Sequence, residues 1–170
     1  MRVAPGSELV EPLAALAAAQ NVPLALLGAT DATLDAAGDH LQRICPGLSI
    51  ATRIAPAWGY DPMGAQAADD LAAIDASGAG LCFLALGAPK QEILAARGAE
   101  LAPGCGFVSI GAGLDFLAGS QVRAPLWARR IAMEWFWRMM QEPRRMVPRY
   151  AACGALLPRL ALDAWRLRRR

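Results

Sequence analysis

Up to about residue 110, apolar residues follow two alternating patterns: short unbroken runs, and longer stretches in which they recur every three or four positions. The runs "VPLALLG", "LSIATRIA", "GLCFLALG" and "GFVSIG" predict buried strands. Each is short, bounded by glycine or proline and free of charge apart from Arg53. Between them, "DATLDAAGDHLQRIC", "AQAADDLAAIDAS" and "PKQEILAARGAEL" predict helices, and "SELVEPLAALAAAQ" predicts one more ahead of the first strand. Ser7 and Asp31 are residue types that cap helix starts. Pro12 and Pro89 fall near first turns, where a missing N–H costs little. Continuously apolar strands that alternate with helices imply a parallel sheet covered on both faces. The expected class is α/β, Rossmann-like.

Beyond Gly111 no strand pattern recurs, and the chain turns rich in tryptophan, methionine and arginine. The segment from Arg123 to Arg170 predicts two or three helices broken near Pro143, Pro148 and Pro158. We therefore expect a sheet domain over residues 1–120 and a helical basic appendage over 121–170. Charge follows the same division. Residues 1–120 carry five cations against twelve acids, and residues 121–170 carry twelve arginines against three acids. The near-neutral total of +2 conceals that asymmetry.

With 170 residues, the chain is long enough to bury about two thirds of its unfolded surface without a metal or disulfide staple. No stretch is both long and apolar enough to predict a membrane span. The opening "MRVAPGSELVEPL" lacks the apolar core of a secretory signal, so the cytoplasm is the expected compartment. Cys45, Cys82, Cys105 and Cys153 are scattered, and His40 is the only histidine. That spacing speaks against structural zinc, and three of the cysteines read as small buried hydrophobes. His40 reads as a surface helix residue.

In open parallel sheets, ligands bind beyond the carboxyl ends of the strands, at glycine turns and helix starts. Three such ends are visible: "LLGATD" with Gly28 and Thr30; "LALGAPKQE" with Gly87, Ala88, Pro89, Lys90 and Gln91; and "SIGAGLDFLAG" with Gly111 and Asp115. None matches the dinucleotide or P-loop fingerprints. Lys90 is the only lysine in a chain with sixteen arginines. On the first turn of a helix behind a buried strand, it places a mobile point charge where an anion is expected.

The ordered motifs "GAPKQE", "GAGLDFLAG", "RAP", "EW" followed by "WR", and "EPRR" with "RY" resemble the WecG/TagA/CpsF glycosyltransferase family. Upstream, "LLGATDATLDAAGDHLQRICPGLSIA" and "WGY" extend the resemblance over nearly the whole chain. The resemblance implies a Rossmann-like fold with a C-terminal appendage that touches the membrane. It also implies inverting transfer from a UDP-sugar to a polyprenyl-diphosphate-linked acceptor at the cytoplasmic membrane face, without an essential metal or other cofactor. Known members build enterobacterial common antigen, wall teichoic acid linkage units and exopolysaccharides; the sugar would be of the N-acetylmannosamine type or a uronic acid. On this basis Gln91 positions sugar hydroxyls, and Lys90, Arg123 and the appendage arginines stabilise the leaving diphosphate. Asp115 and Glu134 match family acids that either hold a ligand hydroxyl or pair with a neighbouring arginine.

Arg2 matches a family arginine that follows an aspartate in a "PDG" type motif, the favoured base. That motif would lie ahead of Met1, so the resemblance predicts either a longer protein or a shortened, catalytically impaired module that still binds nucleotide sugar. An incomplete sheet would also expose an edge and favour self-association into a homo-oligomer. In the appendage, Trp135, Trp137, Trp165, Arg144, Arg145 and Arg149 suit an anionic membrane surface. Packing against the chain's own core is the alternative, and nucleic acid is not among the expected partners.

Overall fold

The computed structural model describes residues 6–120, the helix Glu134–Gln141 and single positions between 143 and 164. The elements run α1 (Gly6–Ala19), β1 (Leu24–Gly28), α2 (Asp31–Ile44), β2 (Ile50–Ile54), α3 (Ala65–Ala76), β3 (Leu81–Ala85), α4 (Lys90–Leu101), β4 (Gly106–Ser109), α5 (Gly113–Leu117) and α6 (Glu134–Gln141). The chain divides into two compact units, Met1–Val122 and Arg123–Arg170.

All four strands are parallel, in the spatial order β2-β1-β3-β4. β1 is buried along its whole length, which is why its sequence is apolar at every position rather than alternating. Its side chains still divide by the two-residue period of a strand. Leu24 and Leu26, with Phe83 of β3, join Val10 and Ala14 of α1, Leu34 and Leu41 of α2 and Leu114 of α5 in one core. Ala25 and Leu27, with Cys82 and Leu84 of β3, join Leu71 and Ile74 of α3 and Leu94 of α4 in the other. Each fully buried leucine contributes about 1.5–3 kcal/mol. The two-faced α/β arrangement expected from the sequence is therefore present.

Local details differ from expectation. Ser7 lies within α1 rather than capping it, and the helix packs against the end of β4 at Gly6. A Cβ on Gly6 would lie 2.6 Å from the Ser109 carbonyl oxygen. Thr30, not Asp31, caps α2: it is extended and its hydroxyl accepts from Thr33 N–H, leaving Asp31 as an acid in the first turn. α5 was not expected from the sequence; it is a single short helix inside what reads as a glycine turn. Within the second unit, Pro143 and Pro158 are themselves helical, so the breaks expected near them fall outside the described residues, as does Pro148.

The ends of β1 and β3 approach each other closely. Gly28 pairs with Ala85, takes φ +118°, and a Cβ there would lie 2.6 Å from the Ala85 carbonyl carbon and oxygen. Only glycine meets both demands.

The loop between β2 and α3, residues 55–64, is seated by Tyr60, whose ring is buried in the second core. Tyr60 Oη and Asp70 Oδ2 are buried and face each other without reaching hydrogen-bond geometry. Burial, and next the Asp70 carboxylate, push the Tyr60 phenol far above its ordinary value. Burial raises the Asp70 carboxyl, Asp69 adds to the rise, and Tyr60 acts in the opposite direction.

Two outcomes are expected in solution. Gly28→Ala lowers stability to urea by roughly 2–5 kcal/mol through strain and overlap. Gly104→Ala, where an added Cβ meets nothing within 4 Å, changes it by less than about 0.5 kcal/mol; equal effects would refute the close approach. The folded state holds the Asp70 proton more tightly than the unfolded chain does, so ionisation costs stability at pH values above the ordinary 3.8. Asp70→Asn should thus raise Tm at pH 7 by roughly 2–4 °C, with the gain shrinking towards pH 4. A lower Tm at pH 7 would show instead that the carboxylate supports the loop.

Candidate functional site

From β1 the chain passes through α2 to β2 on one side, while β3 lies on β1's other side. The direction of strand order reverses there, and the diverging connections leave a crevice beyond the carboxyl ends of β1 and β3. Two of the three glycine turns flank this crevice, and the third closes the neighbouring strand β4.

On the β1 side, Gly28 and Ala29 both have positive φ, 118° and 57°. They turn the chain sharply into α2. The Thr30 hydroxyl accepts from Thr33 N–H at 3.3 Å and donates to Thr33 Oγ1 at 3.1 Å, so its structural task is to hold the start of α2.

On the β3 side, Gly87 has φ +74° and the Ala88–Pro89 peptide is cis. Pro89 stands at the cap position, with α4 beginning at Lys90; Gln91 N–H donates to the Gly87 carbonyl at 3.2 Å, and Ile93 N–H to that of Pro89 at 3.1 Å. The turn thus closes on itself and delivers two side chains to neighbouring loops. Lys90 Nζ donates to the Tyr60 carbonyl at 2.6 Å, so this lysine is not a freely solvated surface cation. Gln91 is buried, with 8 % exposure. Its amide nitrogen donates to Glu92 Oε1 at 2.8 Å, and its amide oxygen accepts from Gly111 N–H at 3.3 Å.

The third turn carries α5. Asp115 is half-buried there; its main-chain carbonyl accepts from Ser120 N–H and Ser120 Oγ, each at 3.0 Å, and its Oδ1 lies 3.4 Å from the same hydroxyl. Gly28, Thr30, Gly87, Ala88, Pro89, Lys90, Gln91, Gly111 and Asp115 therefore lie at the carboxyl ends of β1, β3 and β4. Arg2, Arg123, Arg144, Arg145, Arg149 and Trp165 lie outside the described residues. Glu134 and Trp135 are on α6 in the second unit, where Trp137 is half-buried and Phe136 and Met140 are exposed.

Two residues at the site escaped the reading of the sequence as functional positions. Tyr60 offers its carbonyl to Lys90, and Arg97 Nη1 donates to the carbonyls of Pro62 at 3.2 Å and Gly64 at 2.8 Å. Arg97 follows Lys90 by seven residues, two helical turns, which places both cations on one face. That spacing was the available signal.

Chemically, the strand ends offer a flexible ammonium with three donors and those N–H groups of the two helix starts that are not already donated to Thr30, Gly87 and Pro89, a combination suited to anions. Among the described residues, cysteine nucleophiles do not fit. Cys45, Cys82 and Cys105 are free and buried; burial raises the Cys82 thiol strongly, and burial followed by Asp75 raises Cys105 to about 11. His40, on α2, lies 4.0 Å from Glu11 in a partly exposed pair. Among the described residues, no group of three His, Cys, Asp or Glu is placed to hold a metal ion, and no helix is long and apolar enough to cross a membrane. A family model described as "Glycosyl transferase WecG/TagA/CpsF family" matches residues 1–170. The chain, over its full length, thus belongs to the WecG/TagA/CpsF glycosyltransferase family.

Proposed function

We propose that the chain binds a UDP-sugar in the crevice between the ends of β1 and β3 and transfers the sugar to a polyprenyl-diphosphate-linked acceptor in cell-surface polysaccharide synthesis. The observation that carries this reading is the placement of the sole lysine, half-buried, at the strand-order reversal. In the transfer, the acceptor hydroxyl attacks the anomeric carbon on the face opposite UDP and releases its proton to solvent, the bond from that carbon to the diphosphate oxygen breaks with its electron pair leaving on UDP, and the configuration inverts. Negative charge grows on the departing diphosphate. Fixed donors directed at that charge lower the barrier more than they stabilise the bound substrate. Lys90 supplies the mobile charge, and the N–H groups opening α2 and α4 supply fixed dipoles.

Gln91 acts at the next position. Its oxygen is held by Gly111 and one amide hydrogen by Glu92, so its second amide hydrogen is the one offered to a sugar hydroxyl. Gly28 keeps the floor of the crevice free of side-chain atoms. Asp115 contributes from the β4 end, as a hydroxyl partner for the sugar or the acceptor.

The second unit serves the lipid-linked substrate. α6 carries Phe136 and Met140 exposed, and the segment beyond it holds Arg144, Arg145 and Arg149. Aromatic and methionine side chains enter the interfacial zone of a bilayer while arginines meet anionic headgroups. The protein would then work peripherally at the inner face of the plasma membrane.

Calorimetric titration with UDP should show binding that Lys90→Ala weakens about 10- to 100-fold, the range for losing a hydrogen bond from a charged group; unchanged affinity would remove Lys90 from the site. For the membrane step, sedimentation with phosphatidylglycerol vesicles should fall about tenfold or more in Arg144→Gln/Arg145→Gln, at about 1 kcal/mol per charge. Retention equal to that of the unaltered chain would place lipid contact elsewhere.

A further inference from the structure

Resting on the donor reading above, we propose that Arg97 is the positioning residue that keeps the 55–64 loop seated on α4 when Lys90 turns from that loop to the bound diphosphate. Three carbonyls of this loop, those of Tyr60, Pro62 and Gly64, accept from two cations on one face of α4. Buried or half-buried carbonyls need donors, and no other hydrogen bond reaches these three from α4. The Tyr60 ring anchors the middle of the loop in the second core, and among the described residues Lys90 and Arg97 are the ones whose side chains tie its backbone to α4.

The two cations are not equivalent. Lys90 is a flexible ammonium making one short bond to a neutral carbonyl. A diphosphate beside it offers full negative charge, and a charge-assisted bond is roughly twice as strong as a bond to a neutral acceptor. Lys90 therefore exchanges partners when the donor arrives. Arg97 directs both hydrogens of Nη1 at carbonyls 2.8 and 3.2 Å away, at the α3 end of the loop and two turns further from the crevice. Its planar fork is pre-organised for this pair. Arg97 thus frees Lys90 to serve the ligand without releasing the wall that carries Trp58, Gly59 and Tyr60.

Hydrogen exchange of the peptide spanning 55–64, followed by mass spectrometry in the full chain, tests this. The reporting amides are Tyr60, Met63 and Gly64, which donate to Ala57, to the Asp61 side chain and to the Asp61 carbonyl. Without ligand, Lys90→Ala should exchange within about threefold of the unaltered chain, because Arg97 still holds the loop. Lys90→Ala/Arg97→Ala should exchange at least about tenfold faster. In Arg97→Ala, UDP should accelerate exchange in this peptide, since it withdraws the one remaining clamp; Arg97→Lys should restore most of the protection. Release of the loop by Lys90→Ala alone, or a double variant as protected as the unaltered chain, would overturn the proposal, as would UDP slowing exchange in Arg97→Ala. Should calorimetry show that the unaltered chain does not bind UDP, the donor reading fails and the partner exchange with it. The ligand-free comparison then still decides whether Arg97 holds the loop.

Discussion

The pairing of β1 with β3 is the constraint on which the remaining architecture rests. Because β3 enters the sheet beside β1 rather than beside β2, α2 and α3 must leave in opposite directions, onto opposite faces. The crevice between the two strand ends exists for that reason alone. At its floor the backbones of Gly28 and Ala85 approach more closely than any Cβ allows. The glycine is therefore a condition of the sheet before it is a feature of a ligand site, and the same absence of a side chain leaves the crevice open. One residue satisfies both requirements.

The first turn of α4 then ties the carboxyl ends of the strands together. Lys90 and Gln91, adjacent in sequence, project about 100° apart around the helix and reach different loops: Lys90 the one that follows β2, Gln91 the one that follows β4. This also answers why a chain so rich in arginine has a lysine here. An ammonium makes one short bond to the Tyr60 carbonyl and can pivot about it. A guanidinium at the same place brings five donors in a rigid plane, which suits Arg97, where two carbonyls are to be held and nothing has to move.

The sequence disclosed the elements because burial dictates them. "LALLG" is apolar at every position, as a strand covered on both faces must be, and the helices carry apolar residues at helical spacing on their sheet-facing sides. The three strand-end turns were legible for the same reason, since Gly28, Gly87 and Gly111 all adopt positive φ. The choice of Thr30 over Asp31 as cap was not legible, because both residue types cap well and only the extended backbone at Thr30 decides. α5 hides in "GAGLDFLAG" because its glycines read as a turn, while Leu114 is fully buried in the first core and tertiary packing overrides the weak local propensity. The bond from Gln91 to Gly111 spans twenty residues and depends on β3 lying beside β4, which no local pattern encodes. Tyr60 and Arg97 act on or through main-chain carbonyls, and these leave no trace in residue type.

Charge adds a further constraint on how an anion reaches the site. The sheet unit is strongly acidic and the segment beyond it strongly basic. Over long distances the sheet unit alone would repel a nucleotide diphosphate. At physiological ionic strength, however, charges separated by more than about 8 Å are largely screened, so the acids further along α2 count for less at the crevice than Asp31 on its first turn. Asp35 and Asp39 lie 3.6 and 3.9 Å from Arg53 in addition, which offsets part of their field. On the proposed donor reading, charges close to a bound diphosphate would then dominate, and among the described residues the cation on the turn itself is Lys90. A single cation in such a setting gives modest affinity and high sensitivity to its own position. The energetic value of a second clamp on the loop follows from that: on the proposed reading Lys90 leaves the Tyr60 carbonyl for the phosphate, and a second cation that fixes the loop without touching the ligand separates the task of holding the wall from that of holding the charge.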